Sequence, residues 1–156
     1  MAGTQAVFYR DAKGVEPVDT FIEALPHKRA AKIDDYIEEY LNGRPADAPP
    51  PEYPISSQID GELRELRVRF ANTRYRVLYQ RSDNLVILLH AVEKKGLLHD
   101  LVTGRAAVPN TGALPAGDIE IAKGRMADFR QRMDASRRIP PRAAGRDAPP
   151  KRRPPP

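Results

Sequence analysis

Between Leu63 and Lys95 the sequence reads LRELRVRF, a short spacer, RYRVLYQ, a second spacer, and LVILLHAVEKK. In an extended strand, alternate side chains point to opposite faces. Leu66, Val68 and Phe70 therefore share one face of the first segment, and Arg67 and Arg69 share the other. In the second segment Tyr75, Val77 and Tyr79 oppose Arg74 and Arg76. The spacers Ala71-Asn72-Thr73 and Ser82-Asp83-Asn84 are turn-like, so the three segments predict an antiparallel meander. LVILL does not alternate, as expected of a central strand covered on both faces, although such a run by itself also fits a buried helix. A sheet with one apolar and one arginine-bearing face can cover a core and hold a phosphate backbone at the same time.

The segments around this meander supply the rest of an α+β fold. TQAVFYR, residues 4–10, reads as a short N-terminal strand. Val18, Phe21, Ile22 and Leu25 recur at helical spacing, and Pro26 suits the first turn of a second helix. That helix carries Ala30, Ile33, Ile37 and Tyr40 on one stripe and stops at Asn42-Gly43. The two helices form an αα-hairpin whose apolar stripes need the sheet. Residues 44–54 hold five prolines and predict a stiff connector. A last helix follows Asp118, with Ile119, Ala122, Met126, Phe129 and Met133 on one stripe. Gly124 inside it weakens the helix by about 1 kcal/mol relative to alanine. From Arg137 onward the chain is proline, arginine and alanine with little to bury, which predicts a domain over 1–136 and a disordered tail over 137–156.

Length and composition bound the function. A chain of 156 residues favours one domain with a real core. There is no cysteine, so neither a disulfide framework nor a thiolate metal site is available. The histidines show no metal-ligand spacing. The sequence has no membrane-length apolar run and no secretion signal, which predicts a cytoplasmic protein. The formal charge of +5 is misleading, because residues 137–156 hold seven Lys/Arg against one Asp and account for all of it. Within the rest, residues 64–81 hold six arginines against Glu65, whereas residues 16–39 hold seven acids against three bases. Such segregation points to an anionic partner on the sheet and a solvated acidic surface on the helices.

The ordered series LRELR, YRVLY, an apolar strand and the basic pair Lys94-Lys95 resembles the RelE/ParE toxin superfamily, in particular its HigB-like, phage-associated branch. QAVFYRD resembles the first strand of that family, and Pro115 followed by DIEIAKGRMADF resembles its closing proline and helix, so the likeness covers residues 5–133. The resemblance implies a RelE-like fold, with the N-terminal strand and αα-hairpin packed on the antiparallel meander and a C-terminal helix. It also implies ribosome-dependent cleavage of mRNA, a small antitoxin partner, often of helix-turn-helix type, and no metal or small-molecule cofactor. In that chemistry the RNA 2′-hydroxyl attacks the adjacent phosphorus, leaving a 2′,3′-cyclic phosphate and a 5′-hydroxyl. The protein must take the 2′-OH proton, stabilise the phosphoryl oxygens and protonate the leaving oxygen.

By match to the family's arginines, the resemblance assigns phosphate stabilisation to Arg67 and a supporting place to Arg76, with a structural ion-pair partner as the alternative role for Arg76. It places Lys94 and Lys95 at the basic pair, where a lysine crowded by arginines can serve in proton transfer. Arg64, Arg69 and Arg74 are expected to contact the RNA backbone, positioning it without reading its sequence. His90 and His99 are candidate acid–base groups because histidine titrates near neutrality, although His90, inside the apolar third strand, more often takes a hydrogen-bonded place in the core. The segment GLLHDLVTGRAAVPNTGALP after Lys95 departs from the family pattern: it is longer and less basic, and Leu101 stands near the place of a tyrosine in some relatives. That departure keeps open a ParE-like toxin that inhibits DNA gyrase without cutting RNA, and a nucleic-acid-binding phage accessory protein.

Overall fold

The computed structural model describes residues 3–45, 47–95, 114–136 and 140–146. Its elements are β1 (Gln5–Phe8), α1 (Pro17–Glu23), α2 (His27–Tyr40), β2 (Ser56–Asp60), β3 (Leu63–Phe70), β4 (Thr73–Ser82), β5 (Leu85–Lys95) and α3 (Ala116–Ser136). The strands form one sheet in the order β1-β5-β4-β3-β2. The α1–α2 hairpin packs on one face and α3 on the other.

Local chemistry sets the element boundaries. Pro17 opens α1 where a missing N–H is harmless. Pro26, expected within the first turn of α2, stands one position earlier as its N-cap, and its carbonyl accepts from the N–H groups of Arg29 and Ala30. At the other end Leu41 closes α2 onto Ile37, and Gly43 turns the chain away at φ +71°, a left-handed conformation that glycine adopts without strain. The turns Ala71-Asn72 and Asp83-Asn84 join β3, β4 and β5, each beginning with a left-handed residue. The expected meander over β3, β4 and β5 is present, with antiparallel pairing throughout.

Register divides the side chains as the alternation requires. Leu66, Val68, Tyr75, Val77 and Tyr79 enter the core beneath the helical hairpin, with Phe8, Val86 and Leu88. Ile33 and Ile37 of α2 are fully buried against them, each contributing about 1.5–3 kcal/mol. On the opposite face Leu63, Leu78, Ile87 and Leu89 pack against Ala122, Met126 and Phe129 of α3. Residues Val86 to Leu89 of β5 are thus buried on both sides. Met133, assigned to the same stripe of α3, is exposed instead.

Two further differences concern the sheet. It is mixed, because β1 pairs parallel to β5 (Val7 opposite Ile87) on the side away from β4. It also has an additional edge strand, β2, paired antiparallel to β3. The sequence SSQID of β2 is polar and lacks alternation, so nothing in its composition announces a strand.

The C-terminal segment corrects the expected domain boundary at residue 136. Residues 140–146, assigned to a disordered tail, run as a strap along the free side of β1, with Ala143 bridging Val7. Phe8 N–H donates to Arg142 O at 3.0 Å, and Ala144 N–H donates to Ala6 O at 2.8 Å. Asn42 Nδ2 donates to Ala144 O at 2.9 Å. The Arg142 guanidinium lies 4.6 Å above the Phe8 ring and pairs with Glu16 at 3.1 Å and Asp19 at 2.9 Å. Composition misjudges this segment because composition counts apolar side chains. Here backbone pairing along an open strand edge and countercharge for buried acids do the holding. Residues 147–156 lie outside the described residues.

Candidate nucleic-acid interface

The face of the sheet that carries α3 is divided in two. Its apolar half lies under α3. Beyond it, strand register builds two cross-strand rows: Arg67 opposite Arg76, which is opposite Val92, and Arg69 opposite Arg74, which is opposite Lys94. Directly opposed residues on one face stand about 4.5–5.5 Å apart at Cβ, so the rows crowd five cations into a small area. Like charges so placed repel, and a carboxylate answers them. Glu65, two residues before Arg67 and on the same face, is 1% exposed. Its Oε1 accepts from Arg67 Nη1 at 2.9 Å and from Ser57 Oγ at 2.9 Å. Its Oε2 lies 3.6 Å from Arg76 Nε.

Arg76 is 0% exposed. Burial pushes its pKa down, Glu65 opposes that shift, and Arg67 and Arg74 add to it. Arg76 is therefore an internal charge that grips Glu65 from beneath, and its guanidinium does not reach the surface. Arg67 lies partly open above the carboxylate, with its guanidinium 5.0 Å from the centre of the Tyr53 ring. Tyr53 is 71% exposed, so Arg67 is held at one arm by Glu65 and covered on one plane by an aromatic ring. Arg69 is exposed, and Arg74 and Lys94 are partly so. Burial lowers the Arg74 pKa, with the Arg67 charge adding to the shift. The guanidinium remains charged across the physiological range.

Other candidates fall elsewhere. Arg64 has the parity of Leu66 and lies on the opposite face, where its Nη2 donates to Pro51 O at 2.9 Å. It is not part of the cation rows. His90 sits where β5 meets α3, with Nε2 2.8 Å from Asp118 Oδ1 and Nδ1 3.1 Å from Arg125 Nη1. Arginine cannot accept a hydrogen bond, so Nδ1 presents its lone pair and Nε2–H donates to Asp118. Both ring nitrogens are engaged, and His90 fastens the start of α3 to the sheet. Arg125 also donates to Leu89 O at 2.8 Å. Lys95 ends β5, while its side chain and His99 lie outside the described residues.

Glu65 and Tyr53 are the site residues that the candidate set omitted. The signal for Glu65 is its parity, since it is the lone acid on the face that carries Arg67 and Arg69. Tyr53 has no such signal, because it reaches Arg67 from the connector through tertiary folding. Among the described residues no group of His, Asp or Glu is placed to hold a metal ion. Nor, among them, is any helix long and apolar enough to cross a membrane.

The model of the phage-derived Gp49-like protein family (DUF891) matches residues 20–127, well over half of the sequence. The chain belongs to the Gp49-like family. Gp49-like proteins are a toxin-like, phage-derived family. The match runs from α1 into α3 and takes in both cation rows, Glu65 and Tyr53, while β1 and the strap lie outside it. No curated protein and no solved structure matches the chain.

Proposed function

We propose that this Gp49-like protein is the toxin of a type II toxin–antitoxin pair, of the HigB-like branch of the RelE/ParE superfamily, and that it cuts mRNA on the ribosome in the cytoplasm. One observation carries the reading. Arg67, Arg69, Arg74 and Lys94 converge on the part of the sheet beyond α3, and the buried pair Glu65–Arg76 fixes Arg67 beneath them. An RNA backbone laid across the rows meets cations at successive phosphates, which positions it without reading its bases.

At the scissile phosphate, the 2′-oxygen forms a bond to phosphorus as the bond to the 5′-oxygen breaks. Negative charge accumulates on the non-bridging oxygens. Arg67 answers it with the N–H donors that Glu65 leaves unoccupied, in a guanidinium plane already fixed by that carboxylate and by Tyr53. Preorganisation of this kind lowers the barrier because little has to reorient during reaction. Arg76 acts as a positioning residue through Glu65. Lys94 and Lys95 are the proposed groups for moving the 2′-OH and 5′-oxygen protons. The exposed ring of Tyr53 offers a surface for stacking a splayed base beside the reacting phosphate. A small antitoxin, by this reading, covers the cation rows or blocks ribosome entry.

The test is brief induction in a bacterial host with transcript 5′ ends mapped within minutes, beside Arg67→Ala. New cuts inside translated regions, carrying 5′-hydroxyl ends and absent from the variant, are the expected outcome. Growth arrest with intact transcripts and double-strand DNA breaks would replace the nuclease with a gyrase inhibitor. Undisturbed growth would leave an accessory nucleic-acid-binding protein.

A further inference from the structure

The proline-rich connector between α2 and β2 passes over the far end of the sheet from the cation rows, on the face that carries the helical hairpin. Beneath it lies a cavity of about 560 Å³, within the roughly 300–1,000 Å³ usual for small-molecule sites. One wall is three consecutive prolines, Pro49 to Pro51, and the sheet side presents Tyr79 and Val86. Three arginines from separate parts of the chain, Arg44, Arg64 and Arg81, also line it. Arg64 faces Tyr79 across the β3–β4 ladder, and Arg81 lies two residues further along the same face. The two are therefore diagonal neighbours, with Cβ atoms about 7–8 Å apart.

Two of these charges, on Arg44 and Arg64, are answered incompletely. Arg44 Nη2 donates to Pro49 O at 2.6 Å, Arg64 Nη2 to Pro51 O at 2.9 Å, and Arg81 Nε to Asp83 O at 2.9 Å. The acceptors of Arg44 and Arg64 are neutral carbonyls, while Arg81 has a further partner. Among the described residues neither Arg44 nor Arg64 has a carboxylate within ion-pair reach. Arg64 Nε is buried and has no acceptor, a deficit that native interiors seldom leave. Of the two acids on the lining, Glu62 is engaged with Arg130 at 3.6 Å and Gln80 at 3.3 Å, which leaves Asp83. A cavity with surplus positive charge, an orphan donor and flat apolar walls calls for an anion attached to an apolar body. A bare inorganic ion, a few times the size of a water of about 30 Å³, would still leave most of the volume empty.

We propose that this cavity is a second anion site, separate from the cation rows, which takes a small aromatic oxyanion, a phosphate monoester or a carboxylate. The oxyanion lies against Arg64 and Arg81, and the ring lies between the prolines and Tyr79. The site stands independently of the nuclease reading, since it occupies the other face and the other end of the sheet.

The experiment titrates the full chain with 1-naphthyl phosphate and, separately, 1-naphthoate, following backbone amide shifts by NMR. Inorganic phosphate and 1-naphthol serve as controls. Saturable shifts at residues 44, 61–64 and 79–83 are expected, with both controls at least tenfold weaker. Whichever of the two naphthyl anions binds more tightly identifies the headgroup. Arg64→Gln is expected to weaken binding at least tenfold, whereas Arg67→Ala leaves it unchanged. Should Arg64→Gln fail to fold, Arg44→Gln, on the connector, carries the same expectation. Shifts confined to the Arg67 and Arg74 rows, inorganic phosphate binding as well as the naphthyl anions, or affinity indifferent to Arg64 and Arg44 would each overturn the proposal.

Discussion

Glu65 shows how much one side chain determines here. It accepts hydrogen bonds from Arg67 and Ser57 and is the ion-pair partner of Arg76 at 3.6 Å. Removing one member of a buried ion pair leaves the other charged and desolvated, at a penalty of about 3–5 kcal/mol. Glu65→Ala is accordingly expected to lower unfolding stability by about that amount in urea titration, and Glu65→Leu combined with Arg76→Met to recover most of it. Alternation placed Arg67, Arg69, Arg74 and Arg76 on one face correctly, because parity is local. It could not rank their depth, since depth depends on what covers each position, and so it missed that Arg76 is fully enclosed. Arg64 is a plainer misreading: its own parity sets it apart from Arg67. A second residue-scale prediction concerns Asp34, whose pKa is pushed up to about 6 by burial and by the charges of Asp19 and Asp35, against the attraction of Arg142. The folded state holds this proton to higher pH than the unfolded chain does. Stability therefore falls as pH rises from about 4 to 6, and ionised Asp34 is a net burden above that window. Asp34→Asn is expected to raise stability at pH 7.5 by about 1 kcal/mol, after allowing for solvent screening. The gain should fade in denaturation curves taken toward pH 4.

Among elements, the strap departs furthest from what the sequence suggests. The helices and the three long strands were legible because each carries its own periodicity, apolar at helical spacing in α2 and alternating in β3 and β4. The strap and β2 carry none. Each is held by an edge, β1 in one case and β3 in the other, so the information that specifies it resides in its neighbour. The consequence is measurable by truncation. A chain ending at residue 146 should melt like the full chain, whereas one ending at 136 should lose about 2–4 kcal/mol, since Glu16 and Asp19 are left buried without Arg142. Arg142→Ala should reproduce most of that loss in the same thermal or urea assay. Gly145 is the strap's most constrained position: its φ is +126°, and a Cβ there would stand 2.5 Å from Asn42 Nδ2.

For the whole molecule, the separation of charge matters more than its sum. Acidic groups gather on the helical hairpin, where Arg142 and Arg146 meet Glu16, Asp19 and Asp35, while the cation rows lie on the other face of the sheet. If Arg67, Arg69, Arg74 and Lys94 each neutralise one phosphate, single-stranded RNA affinity should fall with log salt at a slope of about −3. Arg69→Ala should reduce that slope by about 0.7, while Arg64→Ala, on the other face, should leave it unchanged in fluorescence-anisotropy titrations at graded salt. The charge segregation was visible in the sequence. The connector's part was not, because Tyr53 meets Arg67 and Pro49–Pro51 roof a cavity only after distant segments are brought together. The strap also bears on how the molecule is made. Gln5 and Ala144, joined across 139 positions, belong to the earliest and latest parts of the described chain to be synthesised. β1 must wait for β5 on one side and for the strap on the other, so closure of this edge is a contact of high sequence separation, the kind that slows folding. Until residue 146 has emerged, a nascent chain presents an unpaired strand edge, and chaperones that grasp extended segments have their longest opportunity there.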